Sequence, residues 1–146
     1  MDELTSKARS VFADDKYATE LTGIAIDSVS LDHTCCSLKV ERCHKNARGV
    51  VMGGVIFTLA DITFAIAANS ALLKCDSDEE TTLEWVSSSS TIHYLSAANG
   101  NMLYSMSKCI KQGRSQAIYE IDIFDENKRH IAMVTTTGTR ILSTNS

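Results

Sequence analysis

The stretch between positions 50 and 73 is almost wholly apolar, contains the pair Gly53-Gly54 near its start and has a single charged side chain, Asp61. Polar residues interrupt it too often for a membrane span, so the pattern predicts a buried helix over residues 54–73. An ion buried without partners costs several kcal/mol or becomes protonated, so a lone Asp in such a helix indicates a functional group. Glycine permits close approach of the backbone to a ligand, and the first amides of a helix have no intrahelical partners. The segment therefore offers an amide site for an anion and a carboxylate about two helical turns away.

The overall composition is that of a globular protein. With 146 residues, 44% of them hydrophobic and 22% charged, the chain is long enough for one domain with its own core. We expect that domain to span residues 1–146, with residues 1–22 as a helical lead-in. The net charge of −4 and the scattered basic residues argue against nucleic acid as a partner. The first residues are acidic and lack the apolar core of a signal peptide, so we expect a cytoplasmic protein that does not bind a membrane.

The cysteines predict neither a disulfide framework nor a zinc site. Their number is odd, no CxxC pair occurs, and two of them are adjacent and would point to opposite faces of a strand. Free thiols agree with a reducing compartment. The five cysteines are Cys35, Cys36, Cys43, Cys75 and Cys109.

The remainder of the chain predicts one short helix and six strands. Residues 2–13 have the apolar spacing of an amphipathic helix, and a second turn follows at Tyr17–Leu21. Alternating patterns bounded by turn residues predict strands near residues 24–29, 36–41, 87–95, 102–110, 117–124 and 131–141. Short turns join the last four strands, so we expect a mostly antiparallel sheet and an α+β fold. One sheet covers only one side of the long helix, so its other side requires a second subunit.

The motif around the glycine pair resembles that of the hotdog-fold thioesterases, specifically the PaaI-like acyl-CoA thioesterases. That family pattern places an Asn, a Gly, a Gly pair and a helical Asp where this chain has Asn46, Gly49, Gly53-Gly54 and Asp61. The resemblance continues through the strand at 87–97, the Gly113-Arg114 turn and the closing strand at 132–139. It implies an antiparallel β-sheet wrapped around one long central α-helix. It also implies hydrolysis of an acyl-CoA to a free acid and CoA without a cofactor, because coenzyme A is part of the substrate.

The resemblance assigns catalytic roles to three residues. Asp61 would activate the hydrolytic water or attack the thioester itself, and both routes require an ionised carboxylate. Gly53 would donate its amide N–H to the developing oxyanion. Asn46 would donate to a carbonyl or orient a water, although an Asn in such a loop also commonly forms an Asx-turn with its own backbone.

Five further residues are candidates for substrate binding. Gly54 and Met52 flank Gly53, and Met52 occupies the position where the family usually has a His, although Met cannot donate a hydrogen bond. Ser87 begins the strand after the helix, but four consecutive serines leave its register open. Gly113 and Arg114 form a turn in which Arg would hold a CoA phosphate, with Lys108 and Lys111 as helpers. An apolar acyl group would have its walls among Ile56, Phe57, Phe64 and Leu95.

The family resemblance further implies a homodimer or homotetramer, with the loop of Asn46 facing Asp61 of the neighbouring subunit.

His44 lies near that loop and is expected to be a solvated loop residue. The spacing of Asp125 and His130 matches that of hotdog hydratases, but both lie in a charged hairpin turn, so we interpret it as coincidence. The alternatives to a thioesterase are a non-catalytic acyl-CoA binding module, which Met52 favours, and a hydratase that depends on a His.

Overall fold

A computed structural model describes residues 2–74 and 82–141. In this range, six antiparallel strands form one curved sheet, and a long apolar helix lies across one of its faces. The helices are α1 (Glu3–Phe12), α2 (Gly53–Ala68) and α3 (Ser70–Lys74), with a π-helical turn at Tyr17–Leu21 and a 3-10 turn at Arg42–His44. The strands are β1 (Ala25–Ser30), β2 (His33–Lys39), β3 (Trp85–Tyr94), β4 (Met102–Gln112), β5 (Gln116–Asp125) and β6 (His130–Arg140).

The order of the strands across the sheet is β1-β2-β4-β5-β6-β3. Hairpins join β1 to β2 and β4 to β5 to β6, while the chain between β2 and β3 forms α2 and crosses the concave face. The strand that follows α2 therefore returns to the far edge of the sheet, beside β6, where its outer side has no partner strand in the described chain. The α+β class and the sheet around one central helix are confirmed.

The predicted N-terminal helix is confirmed over Glu3–Phe12 and packs beside β1. The side chain of Asp2 caps it, because Oδ1 accepts a 2.8 Å hydrogen bond from the Thr5 amide. Thr5 is buried, and its hydroxyl in turn accepts the Val29 amide of β1 at 3.0 Å. Arg9 donates to the Ile26 carbonyl at 2.7 Å. The helix is thus fastened to the edge strand by hydrogen bonds as well as by its apolar side.

The long helix ends earlier than the sequence predicts. The apolar pattern predicts one helix over 54–73, but α2 ends at Ala68 and α3 begins at Ser70. Between them, Asn69 leaves the helical conformation (φ −97°, ψ 6°) and is buried. Its side chain hydrogen-bonds backbone groups at the start of β3, a long-range contact that an apolar periodicity does not reveal.

The core lies between α2 and the concave face of the sheet. Phe64 of α2 is fully buried, its ring meets Tyr119 of β5 edge to face at a centroid distance of 5.6 Å, and it also packs against Gly138 of β6. A second stripe along α2 is only partly covered in the described chain. The residues of this open stripe follow helical spacing and are Gly54, Thr58, Asp61 and Ala65.

Candidate active site

Asp61 lies on the open stripe of α2 and faces the start of β3. Its Oδ1 accepts a hydrogen bond of 3.5 Å from the Ser87 hydroxyl. Burial raises the pKa of the Asp61 carboxyl, the Ser87 hydroxyl acts against that shift, and the negative charge of Asp15 adds to it. A carboxylate with a raised pKa is a stronger base than an ordinary Asp. Asp15, between α1 and the π-helical turn, is a neighbour of the site that the sequence did not reveal.

The four consecutive serines differ in their hydrogen-bond partners. Ser87 pairs with Gly138 on the concave side of the sheet and bonds Asp61. Ser88 lies at a register shift and donates to the Thr137 carbonyl at 2.9 Å, while Ser90 bonds the Thr136 hydroxyl at 2.9 Å. Of the hydroxyls in this run, only that of Ser87 contacts Asp61 in the part of the chain that the structure describes.

The start of α2 presents two glycine amides at an uncapped helix end. Met52 at the N-cap makes no side-chain cap, and its carbonyl accepts the amides of Val55 at 3.0 Å and Ile56 at 3.3 Å. The amides of Gly53 and Gly54 precede these at the positive end of the helix dipole. The Met52 side chain is 55% exposed and offers no hydrogen-bond donor.

The loop before α2 forms the turn expected of its Asn. Oδ1 of Asn46 accepts the amides of Arg48 at 2.9 Å and Val50 at 3.3 Å, so the Asx-type interpretation holds. Gly49 adopts the left-handed conformation (φ 82°) that closes this loop. Because Oδ1 is occupied, the side chain of Asn46 can offer a ligand its Nδ2 donors. No hydrogen bond joins Asn46 to Asp61 within the described residues.

His44 differs from the expectation of a solvated loop residue. It is 4% exposed, its Nδ1 accepts the Glu41 amide at 2.8 Å, and its Nε2 contacts the Thr22 carbonyl at 2.7 Å. Its own carbonyl accepts the Met52 amide at 2.8 Å. His44 therefore fixes the base of the Asn46 loop rather than contacting a ligand.

Gly113 and Arg114 form the turn between β4 and β5. The Gly113 amide donates to the Gln116 carbonyl at 2.8 Å, and the Arg114 side chain is exposed. Gln112, the last residue of β4, donates to the Ala68 carbonyl at 3.2 Å. The turn thus lies at the end of the sheet where α2 terminates, away from the Gly53 end of the helix.

A cavity of about 340 Å³ lies beside the start of α2. Of the four residues expected to wall an acyl group, Ile56 and Leu95 line this cavity. Phe57 and Phe64 do not, and Phe64 is buried in the core against Tyr119. No sequence pattern pointed to Tyr94, whose hydroxyl donates to the Gly53 carbonyl at 3.0 Å. The lining residues are Val50, Val51, Gly53, Ile56, Tyr94, Leu95, Ser96, Ala97 and Ala98.

The hydratase-like spacing near the C-terminus has a different explanation. His130 bonds Asp122 at 2.9 Å and stacks on Phe124, while Oδ1 of Asp125 accepts the turn amides of Asn127 and Arg129.

Within residues 2–74 and 82–141, no group of three or more His, Cys, Asp or Glu side chains is arranged to hold a metal ion. None of the helices in these ranges is long and apolar enough to cross a membrane.

Comparisons with known proteins agree on one family. The model of the thioesterase superfamily matches residues 48–132, more than half of the chain. The acyl-coenzyme A thioesterase PaaI of Escherichia coli K12 is 28% identical over 127 residues, covering 86% of this chain and 83% of that protein. An Archaeoglobus fulgidus protein whose name describes an esterase is 31% identical over 103 residues, or 70% of this chain, and this chain spans 60% of its length.

Solved structures show the same fold. The E. coli PaaI structure superposes with a TM-score of 0.79 at 24% identity, covering 97% of this chain and 99% of that one. A Streptococcus pneumoniae protein described as a hypothetical thioesterase, solved with coenzyme A, gives 0.74 at 24% identity, with 88% and 95% covered. The chain therefore belongs to the thioesterase superfamily, as a PaaI-like member with the hotdog fold.

Proposed function

We propose that this protein hydrolyses acyl-CoA thioesters to a free acid and CoA. The observation that carries the proposal is the position of Asp61, the single charged side chain of α2, on the open stripe with its Oδ1 3.5 Å from the Ser87 hydroxyl. A carboxylate in partly apolar surroundings is a base suited to activating water. Membership of the thioesterase superfamily and the similarity to E. coli PaaI support the substrate class.

The proposed reaction needs a base, an oxyanion donor and a leaving group. Asp61 removes a proton from water as the water oxygen adds to the thioester carbonyl, and the Gly53 amide stabilises the negative oxygen that forms. When the tetrahedral intermediate collapses, the C–S bond breaks and the sulfur leaves as CoA thiolate, which takes up the proton. Direct attack by Asp61 would instead form an acyl-enzyme anhydride that water then hydrolyses.

Helix geometry supports a site shared between two subunits. Gly53 and Asp61 are eight positions apart, which places their backbones about 12 Å apart along one helix. A base that acts directly or through one water must lie closer than that to the oxyanion. We therefore propose that Gly53 and Asn46 of one protomer act with Asp61 of its partner. The unpaired outer side of β3 and the open stripe of α2 support such self-association.

A non-catalytic acyl-CoA binding module is the second candidate. It is favoured by Met52, which stands exposed at the N-cap of α2 without a hydrogen-bond donor to polarise the thioester carbonyl. The two candidates share the ligand and differ in turnover, so one assay separates them.

The deciding experiment measures CoA release from a panel of aryl and fatty acyl-CoAs by liquid chromatography. This readout avoids thiol reagents, which would react with the protein's own cysteines. We expect wild type to hydrolyse at least one ester and Asp61→Asn to lose about 100-fold or more in kcat/KM. Asp27→Asn, an exposed Asp on β1, is the matched control. Binding without turnover in wild type would establish the binding module instead.

Mixing two inactive variants tests the shared site. If Asn46 and Asp61 act across the interface, a refolded mixture of Asn46→Ala and Asp61→Asn contains one intact site in each mixed dimer. Random pairing then restores about one quarter of the wild-type activity. If both residues act within one protomer, every site has a defect and mixing restores none.

A further inference from the structure

Tyr94 contacts the residue to which the oxyanion role is assigned. It is the last residue of β3, and its hydroxyl donates to the Gly53 carbonyl at 3.0 Å. The ring also lies against Gly53, because a Cβ placed there would be 3.0 Å from the Tyr94 Oη and 3.1 Å from Cζ. A side chain at Gly53 would therefore require the Tyr94 ring to move by a few tenths of an ångström.

The hydrogen bond to the Gly53 carbonyl fixes the orientation of the Tyr94 ring, which is otherwise exposed. Tyr94 is 52% exposed, so core packing alone does not fix its orientation. The Gly53 carbonyl belongs to the same peptide group as the Gly54 amide, and a hydrogen bond to this carbonyl orients that peptide and strengthens its N–H as a donor. The hydroxyl thus fixes the Gly53–Gly54 peptide, whose N–H is the second free amide at the start of α2, next to the Gly53 N–H that is assigned to the oxyanion.

The ring of Tyr94 also forms a wall of the cavity beside Gly53. All nine lining residues are uncharged, and three of them, Val51, Ile56 and Ala98, are buried apolar side chains. Such a lining suits an acyl group rather than the polar CoA arm. The volume of about 340 Å³ is at the low end for ligand pockets, so the position of each wall decides what fits.

We propose that Tyr94 is a positioning and specificity-determining residue, whose hydroxyl fixes the Gly53–Gly54 peptide at the start of α2 and whose ring limits the acyl group admitted beside it. The proposal rests on the proposed function, because it takes the cavity as the acyl subsite of that reaction. It assigns the two effects to separate parts of one side chain, so two substitutions separate them.

Tyr94→Phe and Tyr94→Ala are assayed with acetyl-, hexanoyl-, decanoyl- and phenylacetyl-CoA. Tyr94→Phe should lower kcat about three- to tenfold for every ester, with KM within about twofold and the order of preference unchanged. Tyr94→Ala should raise the kcat/KM ratio of decanoyl- to hexanoyl-CoA by about tenfold or more. The control variants are Tyr104→Phe and Tyr104→Ala, on a half-exposed tyrosine of β4, and should change neither quantity.

An unchanged kcat in Tyr94→Phe overturns the positioning role, and an unchanged acyl preference in Tyr94→Ala overturns the specificity role. Binding of non-hydrolysable thioether analogues, measured by calorimetry, separates this proposal from the proposed function. If wild type binds the analogues but hydrolyses no ester, the hydrolase proposal fails. The specificity role is then still supported if Tyr94→Ala shifts the ratio of the Kd values for the decanoyl and hexanoyl analogues tenfold in favour of the decanoyl analogue. If wild type binds no analogue, both proposals are overturned.

Discussion

The carboxamide of Asn69 makes two hydrogen bonds with the backbone of Trp85. Its Oδ1 accepts the Trp85 amide at 3.0 Å and its Nδ2 donates to the Trp85 carbonyl at 3.1 Å. The same side chain also bonds the Glu84 amide and the Ala65 carbonyl. The end of α2 is thereby joined to the start of β3, two residues before Ser87, which places that serine beside Asp61.

Asn69→Ala should lower the free energy of unfolding by about 3 kcal/mol, because it leaves buried backbone groups of β3 without partners. Chemical denaturation followed by circular dichroism measures the change. Asn127→Ala, in the exposed turn between β5 and β6, is the control and should change it by less than about 0.5 kcal/mol. A loss below about 1 kcal/mol for Asn69→Ala would show that the junction is not a stabilising contact.

Asp61→Asn should abolish the proposed hydrolysis and yet raise the melting temperature of the protein at neutral pH. Because burial raises the Asp61 pKa above its ordinary value of 3.8, the folded state binds this proton more readily than the unfolded state. The contribution of Asp61 to the free energy of unfolding therefore falls as the pH rises from 3.8 through the raised pKa. Asn at this position carries no charge and so avoids that loss. Thermal melts of wild type and variant at acidic and neutral pH test the sign. An equal or lower melting temperature for Asp61→Asn at neutral pH contradicts it.

Ser87→Ala should shift the acidic limb of the kcat/KM profile to higher pH. The Ser87 hydroxyl stabilises the ionised Asp61, so its removal raises the pKa of that carboxyl further. The activity loss should be at least about threefold larger at about pH 6 than at about pH 8. Ser89→Ala, which lies opposite Thr137 in β6, should leave the profile unchanged. Equal losses at both pH values would exclude an effect through Asp61.

Two glycine-to-alanine changes should act in opposite directions on stability. A Cβ on Gly138 would lie 2.6 Å from Cζ of the buried Phe64, so Gly138→Ala should destabilise the protein by about 1–3 kcal/mol. A Cβ on Gly54 meets nothing within 4 Å, and alanine favours the helix, so Gly54→Ala should stabilise it by about 0.5 kcal/mol. Denaturant titration of both variants provides the comparison. Similar effects from the two changes would contradict the packing at Phe64.

Arg114→Ala should raise KM for acyl-CoA about five- to tenfold while kcat stays within about twofold, if the exposed guanidinium holds a CoA phosphate. The difference from wild type should shrink at high salt, because exposed charges are screened. Lys128→Ala removes the same charge from the turn at the other end of β5 and serves as the control. An unchanged KM for Arg114→Ala would remove this turn from the CoA site.

The sequence alone predicted the features that depend on local pattern. The apolar run with one Asp, the glycine pair and the alternating strands between short turns each reflect interactions between near neighbours along the chain. These patterns led to the α+β class, the central helix and the motif that resembles the thioesterases. The Asx-type turn of Asn46 was also foreseeable, because it uses amides only two and four residues away.

Only the tertiary structure decided which side chains meet across the fold. The break of the helix at Asn69, the burial of His44 against the Thr22 carbonyl, and the contact of Tyr94 with Gly53 join residues 16 to 41 positions apart. The choice of Ser87 among four serines depended on a register shift in β3, and a shift of one residue turns a strand's side chains to the opposite face. Such contacts arise from packing between distant segments, whose partners the periodicity of a single segment does not specify.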